Sequence, residues 1–146
     1  MTGRLDGKIA VITGTGSGQG RVAAQLFAAE GATVFGADVD AAGQAETERL
    51  VAMTGAVVDL TDDAAVKRWI DSIGPIDILY ANAGATRFNS VADTTFDEWS
   101  WVLRHELDIV FLPVHHAWPH LREGGSIVLV GSTAGITGSR TNRRIA

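Results

Sequence analysis

Residues 13–20 read Thr-Gly-Thr-Gly-Ser-Gly-Gln-Gly, and they follow directly on the apolar run Ile-Ala-Val-Ile at 9–12. Glycine tolerates positive φ and lets the backbone approach a ligand closely. A helical pattern begins just after this loop, and the amide groups at a helix N-terminus attract anions. A strand, a glycine-rich turn and a helix in this order predict a binding loop for phosphate. The alternative is a flexible surface loop, which the regular elements on both sides disfavour.

The spacing of the glycines narrows this prediction. The pattern G-x-G-x-x-G is not met, because Gln19 stands where its third glycine is required. The pattern that fits is T-G-x-x-x-G-x-G, on Thr13, Gly14, Gly18 and Gly20. In this loop the chain resembles the short-chain dehydrogenase/reductase family, and the resemblance extends over nearly all of the 146 residues. It implies a Rossmann fold, a nicotinamide cofactor and oxidoreductase chemistry.

The composition is that of one ordinary globular domain, with 46% apolar and 20% charged residues. The net charge of −5 gives no electrostatic reason to expect a nucleic-acid partner. The absence of cysteine excludes disulfides and cysteine-ligated zinc. No secretory segment and no run long enough to span a membrane are recognisable. We therefore expect one cytoplasmic domain, residues 1–146, with no membrane partner.

Strand-like apolar runs alternate with helix-like segments along the chain. Continuous apolar strands separated by helices predict right-handed βαβ units, hence a doubly wound parallel α/β sheet. The resemblance implies the strand order 3-2-1-4-5, without the family's last strands and helices. Strands are predicted at 8–13, 33–37, 56–58, 76–81 and 126–130, and helices at 21–30, 41–54, 61–72 and from 95 toward 121. Thr61 is the predicted N-cap of the third helix, and Thr95 with Glu98 forms a predicted capping box.

Asp38, at the end of the second strand, points to the identity of the cofactor. A carboxylate there accepts hydrogen bonds from the ribose hydroxyls of NAD and repels the 2′-phosphate of NADP. Ser17 and Val39 stand where a basic residue could otherwise bind that phosphate. NAD is therefore the predicted cofactor. The alternative for Asp38 is a turn or capping residue, although Asp40 is the better candidate for the cap.

Further cofactor contacts are implied by the resemblance. Asp59 is placed against the adenine amino group, with the backbone of Leu60 beside it, and the alternative for Asp59 is a turn at a strand end. The segment 81–84, Ala-Asn-Ala-Gly, is similar to the family's Asn-Asn-Ala-Gly, and Asn82 is expected to link neighbouring strands. Arg21 is expected to be a solvated charge. The predicted cofactor-binding residues are Gly14, Gly16, Ser17, Gly18, Gln19, Gly20, Asp38, Val39, Asp59, Leu60, Asn82, Ala83 and Gly84.

Ser132 is the predicted catalytic residue. It follows the fifth strand in Val-Gly-Ser-Thr-Ala-Gly. In the family a serine at this point polarises the substrate carbonyl or alcohol, and the alternative is an ordinary turn residue. The implied reaction is hydride transfer between a secondary alcohol or ketone and the nicotinamide. His116 and His120 have the spacing of metal ligands but lack a third ligand, so no metal is predicted.

Two departures from the family bear on catalysis. Glu106 stands where the family usually has a catalytic asparagine. The motif Tyr-x-x-x-Lys has no counterpart in these residues, because Tyr80 is the only tyrosine and Lys8 and Lys67 are the only lysines. We therefore expect this chain alone to be inactive. A non-catalytic dinucleotide-binding module is the alternative function, and a nucleotide-sugar-modifying relative is a third possibility.

The fifth strand is expected to lie at the edge of the sheet. Its run Ile-Val-Leu-Val at 127–130 carries no charge and no proline, and such an edge promotes aggregation when it is exposed. We expect these residues to be covered by further chain or by another polypeptide. The resemblance also implies a homo-oligomer, a dimer or tetramer, formed through the long helix.

Overall fold

A computed structural model of the protein describes residues 3–137, so both ends of the predicted domain 1–146 lie outside the described part. Five parallel strands form a sheet in the order β3-β2-β1-β4-β5, which confirms the predicted order and fold class. The strands are β1 (Ile9–Thr13), β2 (Thr33–Asp38), β3 (Met53–Val57), β4 (Ile76–Ala81) and β5 (Leu121–Leu129). The helices are α1 (Gly18–Ala29), α2 (Ala41–Leu50), α3 (Asp63–Ile73), α4 (Phe96–Leu103), α5 (Ile109–Ala117) and α6 (Ala134–Thr137).

Both faces of the central strand β1 are buried, which explains its unbroken apolar sequence. Side chains alternate across a strand. Val11 therefore packs on one face with Ile70 of α3 and Ile109 of α5. Ile12 packs on the other face with Ala24 of α1. Each fully buried large aliphatic side chain stabilises the fold by about 1.5–3 kcal/mol.

Side-chain caps set the starts of three helices. Asp40 accepts a hydrogen bond from the Ala42 amide at 3.1 Å, as expected for α2. Thr95 and Glu98 form the predicted capping box at α4. The prediction of Thr61 as the cap of α3 was wrong, because the Asp62 side chain accepts from the Ala65 amide at 3.0 Å.

The boundary between α2 and β3 also differs from the prediction. The helix was expected over 41–54 and the strand over 56–58, but α2 ends at Leu50 and β3 already begins at Met53. The reason is tertiary: Met53 pairs with Val34 and Val57 with Asp38, so that β3 extends along β2. Val51, the C-cap residue of α2, is buried in the core. Strand pairing therefore overrides the local helix propensity.

The helix predicted from 95 toward 121 is interrupted in the structure. A π-helical segment, Arg104–Asp108, separates α4 from α5, and a 3₁₀ turn, Trp118–His120, follows α5. In the π-helical segment the Ile109 amide donates to the Arg104 carbonyl. Such single π turns occur frequently at functional sites. Among residues 3–137, no helix combines the length and apolar character needed to cross a membrane.

β5 lies at the edge of the sheet, as predicted, but it starts at Leu121 instead of residue 126. Its pairing with β4 is irregular between Ile76, which pairs with Leu121, and Ile78, which pairs with Ser126. The additional residues of β5 lie within this irregularity. Val128 and Leu129 are 44% and 55% exposed. The apolar end of this edge strand is thus open in the described part of the chain.

Candidate cofactor cleft

A cleft of about 540 Å³ opens at the carboxyl ends of the strands, between the glycine loop and the π-helical segment. This volume lies in the usual range for cofactor sites. The predicted cofactor residues all line it except Gly16 and Gly20. The lining residues are Gly14, Ser17, Gly18, Gln19, Asp38, Val39, Val58, Asp59, Leu60, Thr61, Asn82, Ala83, Gly84, Ala85, His105, Ile109 and Val130.

The glycine loop brings α1 unusually close to β1. Gly14 has a φ of 77°, which an L side chain rarely adopts. A Cβ on Gly20 would lie 1.9 Å from the Gly14 carbonyl oxygen, so only glycine fits there. Ser17, the N-cap residue of α1, makes no side-chain hydrogen bond to the first turn. The first amides of α1 therefore remain without a side-chain cap beside the cleft.

Thr13 and Asn82 join the ends of β1 and β4. The Thr13 hydroxyl accepts hydrogen bonds from the amides of Asn82, at 2.9 Å, and Ala83, at 3.0 Å. The Asn82 side-chain amide donates to the Thr13 carbonyl at 3.2 Å. The expected link between neighbouring strands is thus present, and it fixes the backbone of 82–83 against the glycine loop.

The Asp38 carboxylate receives two backbone donors. Oδ2 accepts from the Gly16 amide at 2.8 Å, and Oδ1 accepts from the Asp40 amide at 2.9 Å. Asp38 therefore performs the turn role that was its alternative interpretation while it also lines the cleft. A carboxylate has about four lone-pair sites, so it can still accept from a ligand hydroxyl.

Arg21 is not the solvated charge that the sequence suggested. Its guanidinium donates to the Gly16 carbonyl at 2.5 Å and to the Thr47 hydroxyl at 2.9 Å, and it pairs with Glu46 at 2.9 Å. Its side chain is only 21% exposed. These acceptors belong to the glycine loop and to α2. The sequence around Arg21 therefore contains no pattern that predicts the contacts.

Asp59 and Thr61 form a tight turn at the cleft. The Asp59 Oδ1 atom accepts from the Thr61 amide at 2.9 Å and from its hydroxyl at 2.7 Å. These two bonds, with a smaller contribution from His105, hold the pKa of the Asp59 carboxyl below its ordinary value. An ionised carboxylate at this point can accept a hydrogen bond from an amino group of a ligand.

His105 lines the cleft and was missed by the sequence analysis. Its ring stacks on Trp101 with 3.8 Å between centroids, and its Nδ1 lies 2.8 Å from the Trp101 carbonyl oxygen. The Arg87 guanidinium lies 4.0 Å from the centre of the Trp101 ring. The spacing of four residues between Trp101 and His105 on a helix is the one signal that could have revealed this contact.

Glu106 lies next to the cleft, not in its lining. Its Oε2 atom is 3.8 Å from the position that a Cβ on Gly84 would occupy. Although the side chain as a whole is exposed, partial burial raises the pKa of its carboxyl. Glu106, which stands where the family usually has an asparagine, thus lies in the π-helical segment beside the predicted cofactor residue Gly84.

Ser132 is not brought into the cleft lining. It is exposed, two residues beyond Val130, and its hydroxyl accepts a hydrogen bond from the Ala134 amide at 3.1 Å. This bond is the turn contact of its alternative interpretation. The position after β5 places it at the same sheet edge as the cleft, because Val130 lines the cleft.

A second cleft, of about 500 Å³, lies between α3 and α5. Phe111 and Trp118, both in its lining, are 60% and 68% exposed. Nearby, His116 pairs with Asp63 at 2.7 Å and His120 with Asp71 at 3.1 Å. Within residues 3–137, no three histidine or carboxylate side chains are grouped as metal ligands.

Comparisons with known proteins agree with this architecture. The family model described as short chain dehydrogenase matches residues 8–143. Meso-2,3-butanediol dehydrogenase of Serratia marcescens is 36% identical, over 92% of this chain and 57% of that protein. Trans-4-hydroxycyclohexanecarboxylate dehydrogenase of Sinomonas cyclohexanicum is 32% identical, over 100% of this chain and 62% of that protein.

Solved structures show the same similarity. The crystal structure of carveol dehydrogenase from Mycobacterium avium in complex with NAD has a TM-score of 0.88 and 32% identity, and the match covers 94% of this chain and 59% of that one. A short-chain dehydrogenase/reductase structure from Burkholderia xenovorans has a TM-score of 0.86 and 35% identity, with 92% and 57% covered. The chain therefore spans a little over half the length of the relatives it matches.

Proposed function

This chain belongs to the short-chain dehydrogenase family, and we propose that it binds NAD in the cleft at the carboxyl ends of the strands. The observation that carries the proposal is the uncapped start of α1 beside Ser17, at the glycine loop. Backbone amides at a helix N-terminus bind phosphate groups. Gly14 and Gly20, where a Cβ would collide with neighbouring backbone, let α1 start directly behind the end of β1, next to the cleft.

The residues present fit the remainder of a dinucleotide. Asp38 offers carboxylate oxygens to ribose hydroxyls and disfavours a 2′-phosphate by charge repulsion, which supports NAD over NADP. Asp59 offers an ionised acceptor to the adenine amino group, and the aromatic ring of His105 lies in the same cleft. The small residues 82–84 allow the backbone to lie beside the ligand.

The activity we propose is hydride transfer between a secondary alcohol or ketone and the nicotinamide. When NAD is bound, the nicotinamide supplies or accepts the hydride. Ser132 would orient the substrate oxygen by a hydrogen bond, for which its hydroxyl proton is free because the Ala134 amide uses an acceptor position.

Titration with NADH and NADPH, followed by nicotinamide fluorescence, tests the binding proposal. We expect NADH to bind more tightly than NADPH. Equal or tighter binding of NADPH would overturn the role given to Asp38, and failure to bind either nucleotide would overturn the proposed function. Binding of NADH without NAD⁺-dependent oxidation of any secondary alcohol in a substrate panel, tested on the naturally encoded protein, would favour the non-catalytic module.

The assembly that we propose is a homo-oligomer joined through the helix face that carries Phe111 and Trp118. Large aromatic side chains exposed together are typical of protein–protein contacts. The second cleft gives this face a recess that a partner side chain could fill. The cytoplasmic location expected from the sequence stays a prediction.

A further inference from the structure

Gly16 lies between two side chains of opposite charge. Its amide donates to the Asp38 carboxylate at 2.8 Å, and its carbonyl accepts from the Arg21 guanidinium at 2.5 Å. The peptide groups on both sides of Gly16 are therefore held by charged partners. Charge-assisted hydrogen bonds are roughly twice as strong as neutral ones.

The rest of the Arg21 guanidinium is bound by α2. Nε donates to the Thr47 hydroxyl at 2.9 Å, and Nη2 approaches both the Glu46 carboxylate, at 2.9 Å, and the Gly43 carbonyl, at 3.4 Å. The fully buried Thr47 hydroxyl in turn donates to the Thr15 carbonyl at 2.8 Å. Arg21 thus connects α1, α2 and the glycine loop, and it does not line the cleft.

This arrangement fixes the direction of the next amide. In a planar trans peptide the carbonyl of Gly16 and the N–H of Ser17 point to opposite sides. Arg21 and α2 hold the Gly16 carbonyl on their side, so the Ser17 amide is directed away from them. Ser17 lines the cleft. An amide fixed in this way can donate to an anion without reorganisation when the anion binds.

We propose that Arg21 is a positioning residue for the dinucleotide: it holds the Gly16 carbonyl so that the loop amides stay aligned for the pyrophosphate, and it does not touch the cofactor. The inference rests on the proposed function, because it takes the pyrophosphate to bind at this loop. Lysine cannot replace arginine here, since its ammonium group is a point charge without the planar set of donors that reaches Gly16, Thr47 and Glu46 together.

The test compares Arg21→Met and Arg21→Lys with wild type in the purified protein. We expect both variants to raise the Kd for NADH and for ADP-ribose by about 10-fold to 100-fold, the range for one hydrogen bond to a charged group. Arg49→Met is the matched control, because Arg49 is exposed on α2 and, within the described part of the chain, bonds only to a carbonyl of its own helix. It should leave both constants within about twofold of wild type, as expected for a surface change.

Adenosine separates positioning of the pyrophosphate from a general structural role. It lacks phosphate, so Arg21→Met should not change its binding, measured by ligand-observed NMR. Equal weakening of adenosine and ADP-ribose would overturn the inference, as would wild-type affinity for ADP-ribose in Arg21→Lys. If Arg21→Met does not fold, Arg21→Lys and Thr47→Val are compared with wild type instead. Thr47→Val should also raise the Kd for ADP-ribose.

The two proposals fail in different ways. If wild type binds neither NADH nor ADP-ribose, the proposed function is wrong and this inference with it. If wild type binds both and the Arg21 variants bind them equally well, only the role of Arg21 is wrong.

Discussion

Gly20 packs against Gly14 so closely that a Cβ at position 20 would lie 1.9 Å from the Gly14 carbonyl oxygen. The obstacle is backbone and not the end of a flexible side chain, so it cannot move without shifting the loop. Helix α1 therefore reaches the end of β1 only because residue 20 has no side chain. The same contact sets the position of the helix start that we propose binds pyrophosphate.

Gly20→Ala is accordingly expected to displace α1 from the loop. Overpacking of this kind costs about 1–3 kcal/mol of unfolding free energy, and NADH binding should be lost or reduced by more than about 10-fold, which corresponds to 1.4 kcal/mol. Urea unfolding and fluorescence titration measure the two effects. Gly135→Ala is the control, because among residues 3–137 nothing lies within 4 Å of a Cβ there. A Gly20→Ala variant with wild-type stability and affinity would contradict the proposed packing constraint.

Asp38→Asn should weaken NADH binding without producing tight binding of NADPH. The two backbone donors, from Gly16 and Asp40, need two acceptor oxygens, and asparagine offers one oxygen and an NH₂ group. One donor then faces the NH₂ group; if it is the buried Gly16 amide, this costs about 1–3 kcal/mol, and the loop loses an anchor. The measurement is the Kd of each nucleotide.

The control for Asp38→Asn is Asp40→Asn, which keeps an N-cap side chain on α2. It should leave both dissociation constants near those of wild type. Tight NADPH binding by Asp38→Asn, equal to that of NADH by wild type, would show that Asp38 only repels a phosphate and does not hold the loop.

The strands and the glycine loop could be predicted because their signals are local, whereas the strand order was implied by the family resemblance. Strands buried on both faces are continuously apolar, as in residues 9–12, and the loop is marked by glycines whose spacing reflects backbone geometry. Residues separated by long stretches of chain then meet at the carboxyl edge of the sheet because the strands are parallel. This is why Asp38 and Asn82, predicted separately as cofactor-binding residues, both line the one cleft.

What could not be predicted depends on partners distant in the sequence. Met53 joins β3 because it pairs with Val34, although its local context favours helix. Arg21 is held by acceptors on a different helix, and such acceptors carry no signal near residue 21. His105 enters the cleft from a π-helical segment, whose altered period moves side chains off the faces that a regular helix would give.

Asp77 should give the protein a stability that depends on pH. Its nearly buried carboxylate accepts from the Ile9 amide at 2.9 Å, and Lys8 and Arg122 pair with it at 3.3 and 2.9 Å. These contacts, the Ile9 bond foremost, lower the pKa of Asp77 in the folded state. A lowered folded pKa stabilises the fold above the unfolded value of about 3.9, and that stability is lost as pH falls through the folded pKa.

Asp77→Asn is therefore expected to lower the unfolding free energy by about 1.5–3 kcal/mol near pH 7, the range for hydrogen bonds to a charged group. The difference from wild type should begin to shrink below about pH 4, where the unfolded chain takes up the proton, and should disappear once the pH falls below the lowered pKa of folded Asp77. Urea unfolding across this pH range measures it. Asp108→Asn, at an exposed position, should show no such trend. A difference that stays constant with pH would contradict the role of the charge.

Trp118→Glu should dissociate the proposed homo-oligomer. Trp118 is exposed, so a charge there costs the isolated chain little, whereas it would be buried in an interface between copies. Sedimentation velocity measures the change in mass. Val22→Glu is the matched control, because Val22 is also exposed and lies on α1, which packs on the other face of the sheet. A monomeric wild type, or equal dissociation by both variants, would contradict an interface on this helix face.

Ser132→Ala should separate catalysis from cofactor binding. Ser132 lies outside the cleft lining, so the Kd for NADH should stay within about twofold of wild type, as expected for an exposed position. If its hydroxyl polarises the substrate oxygen, kcat should fall by about 10²–10³-fold, the usual effect of removing one such donor.

Ser132→Thr keeps a hydroxyl and should retain part of the activity. The two variants are compared by steady-state oxidation of a secondary alcohol in the naturally encoded protein, because residues 1–146 alone lack a Tyr-x-x-x-Lys motif and are expected to be inactive. If Ser132→Ala retains the wild-type kcat, Ser132 serves only the turn in which its oxygen accepts from Ala134.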